Sequence, residues 1–399
     1  MQRIILLCTA IVLGAASAMA APKIVPVPES AWTAEQRELA ATFPKGPTGN
    51  ALGTFLISPE LVRGIFPFVS YIMADTTLTP RQRELFILRT AWNCSSEYLW
   101  ANHAPRAAAA GLSASEIQRI ALGPDAPGWD PFEATLLRAA DELHRTSFIS
   151  TPIWNSLATK FGTDQLMDAT FTIAEATEFA TIYKSVGVEP EAGLSARLPA
   201  GAPPPAMGPR GHKALTTARI TPLEPAELSP TARKIFDPTG SGRPIIPLYR
   251  TFARYPRLAG PRQLQSGHIN GKTTLSLREK EMTIVRISWL NGSDYPWAEH
   301  VVSLRKEGAT DDEIRRLSAP GSAGWSAKEG ALVQAIDEIY AGNRISDETW
   351  KALKANYNDN QILDLLVAAT GYQMTSMVSN SFGVQLDVGM ERMPGSTLP

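Results

Sequence analysis

Cysteine is nearly absent: the 399 residues contain two, Cys8 and Cys94. Cys8 falls inside an apolar run within the first twenty residues, so a processed chain keeps Cys94 alone, which excludes an intramolecular disulfide and any internal thiol pair. Charge of one sign is lacking as well. Lys and Arg number 38 against 39 Asp and Glu, evenly mixed and without a basic run, which excludes the footprint of a nucleic-acid or polyanion binder. Past the amino terminus no stretch approaches the ~20 apolar residues of a membrane span, so no membrane partner is expected. Alternating Val/Ile/Thr patterns that would mark strands are scarce. Neither H-x-x-x-H nor C-x-x-C occurs, and no metal or other cofactor is expected.

The first residues, MQRIILLCTAIVLGAASAMA, combine a basic start at Arg3, a short apolar core and a small-x-small site at Ala18-Met19-Ala20. This pattern reads as a secretory signal peptide over 1–20, cut before Ala21. The expectation is a soluble, exported protein, periplasmic or secreted.

What the chain does have is one pattern stated twice. Residues 83–111 read RELFILRTAWNCSSEYLWANHAPRAAAAG and residues 280–308 read KEMTIVRISWLNGSDYPWAEHVVSLRKEG. Ten of these twenty-nine positions are identical, where chance in a self-comparison would give roughly two. The identities are Glu84/Glu281, Ile87/Ile284, Arg89/Arg286, Trp92/Trp289, Ser96/Ser293, Tyr98/Tyr295, Trp100/Trp297, Ala101/Ala298, His103/His300 and Gly111/Gly308. A purely structural repeat would keep mostly apolar residues; this one keeps charge, aromatics and imidazole. The likeness continues through Asp141-Glu142 and Asp337-Glu338 to Gly187-Val188 and Gly383-Val384. It divides the chain into a first domain over 21–195, a Pro/Gly-rich linker over 196–222 and a second domain over 223–399.

Each domain reads as helical. Thr79-Pro80 sets a capping hydroxyl before a proline at the first helical position, and Ser276-x-x-Glu279 and Ser113-x-x-Glu116 are capping boxes. From Arg81 to Trp92 the periodicity puts Leu85, Leu88 and Trp92 on one face. A break then precedes a second helix, where Pro296 is tolerated because it lies in the first turn.

Two turns into that second helix stand His103 and His300, near the positive end of its dipole, which favours a neutral imidazole and nearby anions. Glu84 and Glu281, nineteen residues upstream, lie on the preceding antiparallel helix. A carboxylate against an imidazole orients the ring and stabilises its protonated form, as general acid/base catalysis requires. Arg89 and Arg286 are candidate contacts for a substrate carboxylate, with a buried Glu–Arg pair as the alternative. Tyr98, Tyr295, Trp100 and Trp297 are either core aromatics or pocket walls. Ser96 and Ser293 read as helix caps, with donation to a substrate oxygen as the alternative. His144, His212 and His268 have no counterparts and read as surface or structural. In the closing helix of the first copy, Glu175, Glu178 and Lys184 replace Gly371, Met374 and Asn380 of the second, which predicts two pockets of different polarity.

The spacing Glu, nineteen residues, His, with Tyr-x-Trp-x-x-His and a later Gly before a Glu-Ile helix (Glu116-Ile117, Glu313-Ile314), resembles the carboxymuconolactone decarboxylase family, which shares its fold with alkylhydroperoxidase D. The resemblance implies an all-α fold of two tandem domains with about six helices each, and a trimer of such chains. It also implies a histidine and glutamate that act together in proton transfer on a small, anionic or lactone-type substrate. The peroxidase branch carries Cys-x-x-Cys-x-x-x-His; here Ser96 and Leu99, or Ser293 and Pro296, stand at the cysteine positions. A thiol peroxidase and a non-catalytic binding or assembly module are the rival readings.

Overall fold

The computed structural model describes residues 21–44, 46–199 and 215–396. The signal segment lies outside the described residues, as does most of the Pro/Gly-rich linker. Among the described residues every regular element is helical. The first repeat holds α1 (Ala34–Thr42), α2 (Gly49–Phe55), α3 (Pro59–Ala74), α4 (Pro80–Asn93), α5 (Glu97–Ala109), α6 (Ala114–Leu122), α7 (Pro131–Thr146), α8 (Thr151–Ala158) and α9 (Thr163–Val186). The second holds α10 (Pro230–Phe236), α11 (Pro247–Phe252), α12 (Pro256–Gly271), α13 (Leu277–Leu290), α14 (Asp294–Lys306), α15 (Asp311–Leu317), α16 (Ala327–Gly342), α17 (Asp347–Lys354) and α18 (Asp359–Phe382). The six helices expected per unit are α4–α9 and α13–α18; three more precede each set. No helix among the described residues is long and apolar enough to cross a membrane.

Local chemistry fixes where these helices begin. Thr79 accepts from the backbone N–H of Gln82, whose side chain reaches back to Thr79, and Ser276 with Glu279 does the same for α13. The repeated Gly111 and Gly308 have φ of 88° and 82°, left-handed values that a side chain would strain, which accounts for that identity on structural grounds alone. α4 departs from the one-faced pattern: every residue from Glu84 to Asn93 is buried. It is packed by α5, α7 and α9, so its charged groups must find partners inside the protein.

The two repeats share a single hydrophobic core. They meet through α3 against α12 and α9 against α18, and the contacts between them are reciprocal, as in a two-fold dimer. The backbone N–H of Ile149 donates to Ser381 Oγ at 3.1 Å, and that of Ile345 to Ser185 Oγ at 3.1 Å. Lys23 Nζ donates to Ile345 O at 2.9 Å and Arg219 Nη1 to Ile149 O at 2.7 Å. The backbone N–H groups of Lys23 and Arg219 both reach the last carbonyl of a long helix, at Val186 and Phe382. The structural repeat therefore reaches back to Arg219, inside the stretch that the composition assigns to linker. Pro/Gly content set that boundary too late, because the segment before each first helix is itself proline-rich.

Candidate active site

α4 and α5 are joined by a tight turn, with Ser95 in the left-handed region at φ 51° and Gly292 at φ 61° in the matching turn between α13 and α14. The turn folds the second helix back along the first and brings the paired residues together. His103 Nδ1 lies 2.8 Å from Glu84 Oε2, and His300 Nδ1 lies 2.6 Å from Glu281 Oε2. With Nδ1–H donating to the carboxylate, Nε2 is the basic nitrogen left for a ligand. Glu84 is fully buried and His103 and Glu281 nearly so.

The other oxygen of each glutamate meets a cation that the sequence reading passed over. Arg83 Nε stands 3.3 Å from Glu84 Oε1 and Lys280 Nζ 2.8 Å from Glu281 Oε1. Burial alone pushes the Glu84 carboxyl up, but His103 and Arg83 outweigh it and hold it below the ordinary value. Glu281 is likewise pushed up by burial and pulled below the ordinary value by His300 and Lys280. Each glutamate is thus kept ionised against its histidine. The signal was present as a kept charge, Arg83 aligned with Lys280, but a search for identities does not score it.

His103 lines a cavity with Tyr98, Asn102, Arg106 and Glu175 among apolar walls from Val69, Ile72 and Phe179. His300 lines another with Tyr295, Glu299, Arg262 and Tyr372. The Tyr372 ring sits edge-on to His300 at 4.7 Å between centroids. Both tyrosines of the repeated motif are therefore pocket walls. Tyr98 Oη lies 3.2 Å from Thr48 O and 3.1 Å from Glu191 Oε1, with its single proton donated to one of them, and Tyr295 Oη accepts the Leu248 N–H at 3.3 Å.

Three expectations need correction. Arg89 and Arg286 are not poised for a substrate anion. Arg89 forks onto Asp141 at 2.6 and 2.9 Å and donates to the Ile120 and Ala121 carbonyls. Arg286 forks onto Asp337 at 2.7 and 2.7 Å and donates to Leu317 O and Ala319 O. Neither lines the cavity of its histidine. Trp100 and Trp297 are core residues, 1% and 0% exposed, and also stand away from the cavities. Ser96 and Ser293 occupy the N-cap positions of α5 and α14 but make no capping hydrogen bond. Their hydroxyls are buried without a protein partner among the described residues, and neither faces its cavity.

Of the unrepeated histidines, His268 is buried with Nε2 2.8 Å from Asp364 Oδ1. This copies Tyr71, whose hydroxyl donates to Asp168 Oδ1 at 2.6 Å. His144 is buried beside Cys94, and His212 lies outside the described residues. Cys94 is buried, and burial pushes its thiol up to about 12, the reverse of what a peroxidatic thiolate needs. Of the residues expected to set the two cavities apart, buried Glu175 lines the first while Glu178 and Lys184 do not, and the polar groups of the second are Arg262, Glu299 and Tyr372.

Residues 59–142 and 259–338 each match the model of the carboxymuconolactone decarboxylase family. Two regions of the chain, one in each repeat, are therefore similar to that family. A solved structure from Agrobacterium tumefaciens, described as a protein of unknown function with a suggested role in AhpD-type antioxidant defence, is 22% identical. It aligns over 31% of this chain and 86% of its own, with a TM-score of 0.29. No curated protein matches.

Proposed function

We propose that this tandem carboxymuconolactone decarboxylase-type chain is an exported enzyme that moves a proton on a small carboxylated or lactone-type metabolite, in a decarboxylation, an isomerisation or a lactone rearrangement. The observation that carries the reading is the doubled dyad: in each repeat a histidine lines a cavity while a buried, ionised glutamate holds its Nδ1. In such an arrangement Nε2 accepts a proton from a substrate carbon and the glutamate stabilises the imidazolium that results. An isomerisation returns that proton to a different atom. A decarboxylation runs the dyad the other way, with Nε2–H protonating the carbanion left when CO₂ departs.

The mostly apolar walls of the first cavity suit a small organic substrate. The amino-terminal segment favours export, which argues against an intracellular step of aromatic breakdown as its task. Peroxide reduction by Cys94 is disfavoured by the burial of that thiol and the lack of a second cysteine among the described residues.

A screen of lactones, enol acids and aromatic breakdown products against the processed protein should yield a substrate. Its turnover should fall by at least about a hundredfold in His103→Ala/His300→Ala, within the range expected for loss of general acid/base catalysis. Undiminished turnover in the folded double variant would show that the dyads are not the acid/base groups. The single variants would divide the activity between the two repeats.

A further inference from the structure

The second cavity contains a charge that neither the repeat nor the dyad explains. Arg262, on α12, is 4% exposed, and among the described residues no carboxylate lies within ion-pair distance of it. Its Nη2 donates to Thr375 Oγ1 at 2.9 Å and to Gly371 O at 3.3 Å. Nε and Nη1 are buried without a protein partner among the described residues. A guanidinium out of water with idle donors is costly unless a ligand takes them, and Arg262 lines the same cavity as His300.

The nearby acids of the facing repeat, Glu175 and Glu178, do not take this role: both lie outside ion-pair distance of Arg262, and burial pushes both carboxyls up while Arg262 pulls the other way. Glu178 is occupied by Gln265, whose Nε2 lies 2.9 Å from both its oxygens. Burial pushes Glu178 up to about 7 even though Arg262 pulls the other way, so near neutrality it offsets the arginine only in part. Glu299, in the same cavity, is half-exposed and is also pushed up by burial.

The first cavity is built the opposite way round. Ile65 stands where the repeat would put Arg262, and the buried polar group is Glu175, both of whose oxygens lack a protein partner. The cation of that cavity, Arg106, is half-exposed on α5, where water screens it. A carboxylate entering there would meet a buried carboxyl instead of a buried guanidinium.

We propose that the second cavity binds a small monocarboxylate through the idle donors of Arg262, beside His300, and that the first cavity does not bind this anion. The proposal rests on the proton-transfer reading only for the chemistry at His300, and names the substrate class of that site.

The chain has five histidines, so their ring carbons can be followed one by one after isotopic labelling, with His103→Gln and His300→Gln giving the assignments. Acetate and benzoate titrated into the full chain should shift the His300 signal and leave that of His103 in place. Benzamide, of the same shape without the charge, should bind at least about tenfold more weakly. Arg262→Met should weaken benzoate binding at least about tenfold, the loss expected for a charge-assisted contact, and Arg262→Lys should fall between. An unmoved His103 signal in the free variants reports that the fold is kept.

The proposal is overturned if neither carboxylate shifts His300, if both histidines shift alike, or if folded Arg262→Met binds as the parent does. Failure of the underlying reading looks different: carboxylate would still bind through Arg262, while turnover would be unchanged in His300→Ala.

Discussion

Arg89 and Asp141 show what a residue pattern can and cannot disclose. An arginine kept in both copies looks the same whether it holds a substrate or a neighbour, because both uses call for the same planar fork. The resolving clue was a second kept residue, Asp141 with Asp337, fifty-two and fifty-one positions downstream, and only the packing of α7 on α4 brings the two together. Glu84 and His103 were legible because they sit on adjacent helices joined by a short turn, which confines their separation. Removing Asp141 leaves a buried guanidinium without its counter-ion, and Asn93 without the acceptor that its amide donates to at 2.9 Å. Asp141→Ala should therefore destabilise the protein by about 3–5 kcal/mol, read as a lower urea midpoint with unchanged slope. Asp337→Ala should cost less, because the Asp337 side chain is 22% exposed against 10% for Asp141.

At the scale of the helix, starts were the readable part. Capping boxes at Thr79, Ser113 and Ser276 are short-range chemistry, and each opens the helix expected of it. The identity of Ser96 with Ser293 suggested the same device and misled, since at these positions the backbone enters α5 and α14 without the hydroxyl accepting a bond. Nor did periodicity show that α4 is enclosed on all sides, because Glu84, Arg89 and Asn93 look like a polar face until their partners are known. The caps can be told apart by mutation. Thr79→Ala removes a formed cap and should cost about 0.5–2 kcal/mol. Ser96→Ala removes a buried hydroxyl with no protein partner and should be neutral or slightly stabilising. Thermal unfolding of the two variants side by side decides it; an equal loss in both would mean that the Ser96 hydroxyl makes a bond after all.

The molecule as a whole behaves as a dimer fused into one chain. Two repeats were visible in the sequence, but their docking was not, because the bonds across the seam, Ile149 to Ser381 and Ile345 to Ser185, join residues 232 and 160 positions apart. What distinguishes the seam is its buried acid, which breaks the two-fold likeness: Glu175 and Glu178 of α9 face Arg262 and Gln265 of α12, with Tyr183 on their own helix and Thr370 on α18. Burial holds both carboxyls above their ordinary value, Glu178 at about 7, with Arg262 opposing the shift in each case. A carboxyl whose proton is held more tightly in the folded state contributes stability below its unfolded value. That contribution is lost as pH rises through the folded one. The protein should accordingly lose thermal stability between about pH 5 and about pH 8, from the acids of the seam. Glu178→Gln fixes the neutral form, so its melting temperature should exceed that of the parent at about pH 8 and approach it at about pH 5. A difference between variant and parent that stays constant across this range would mean that Glu178 does not change its charge there.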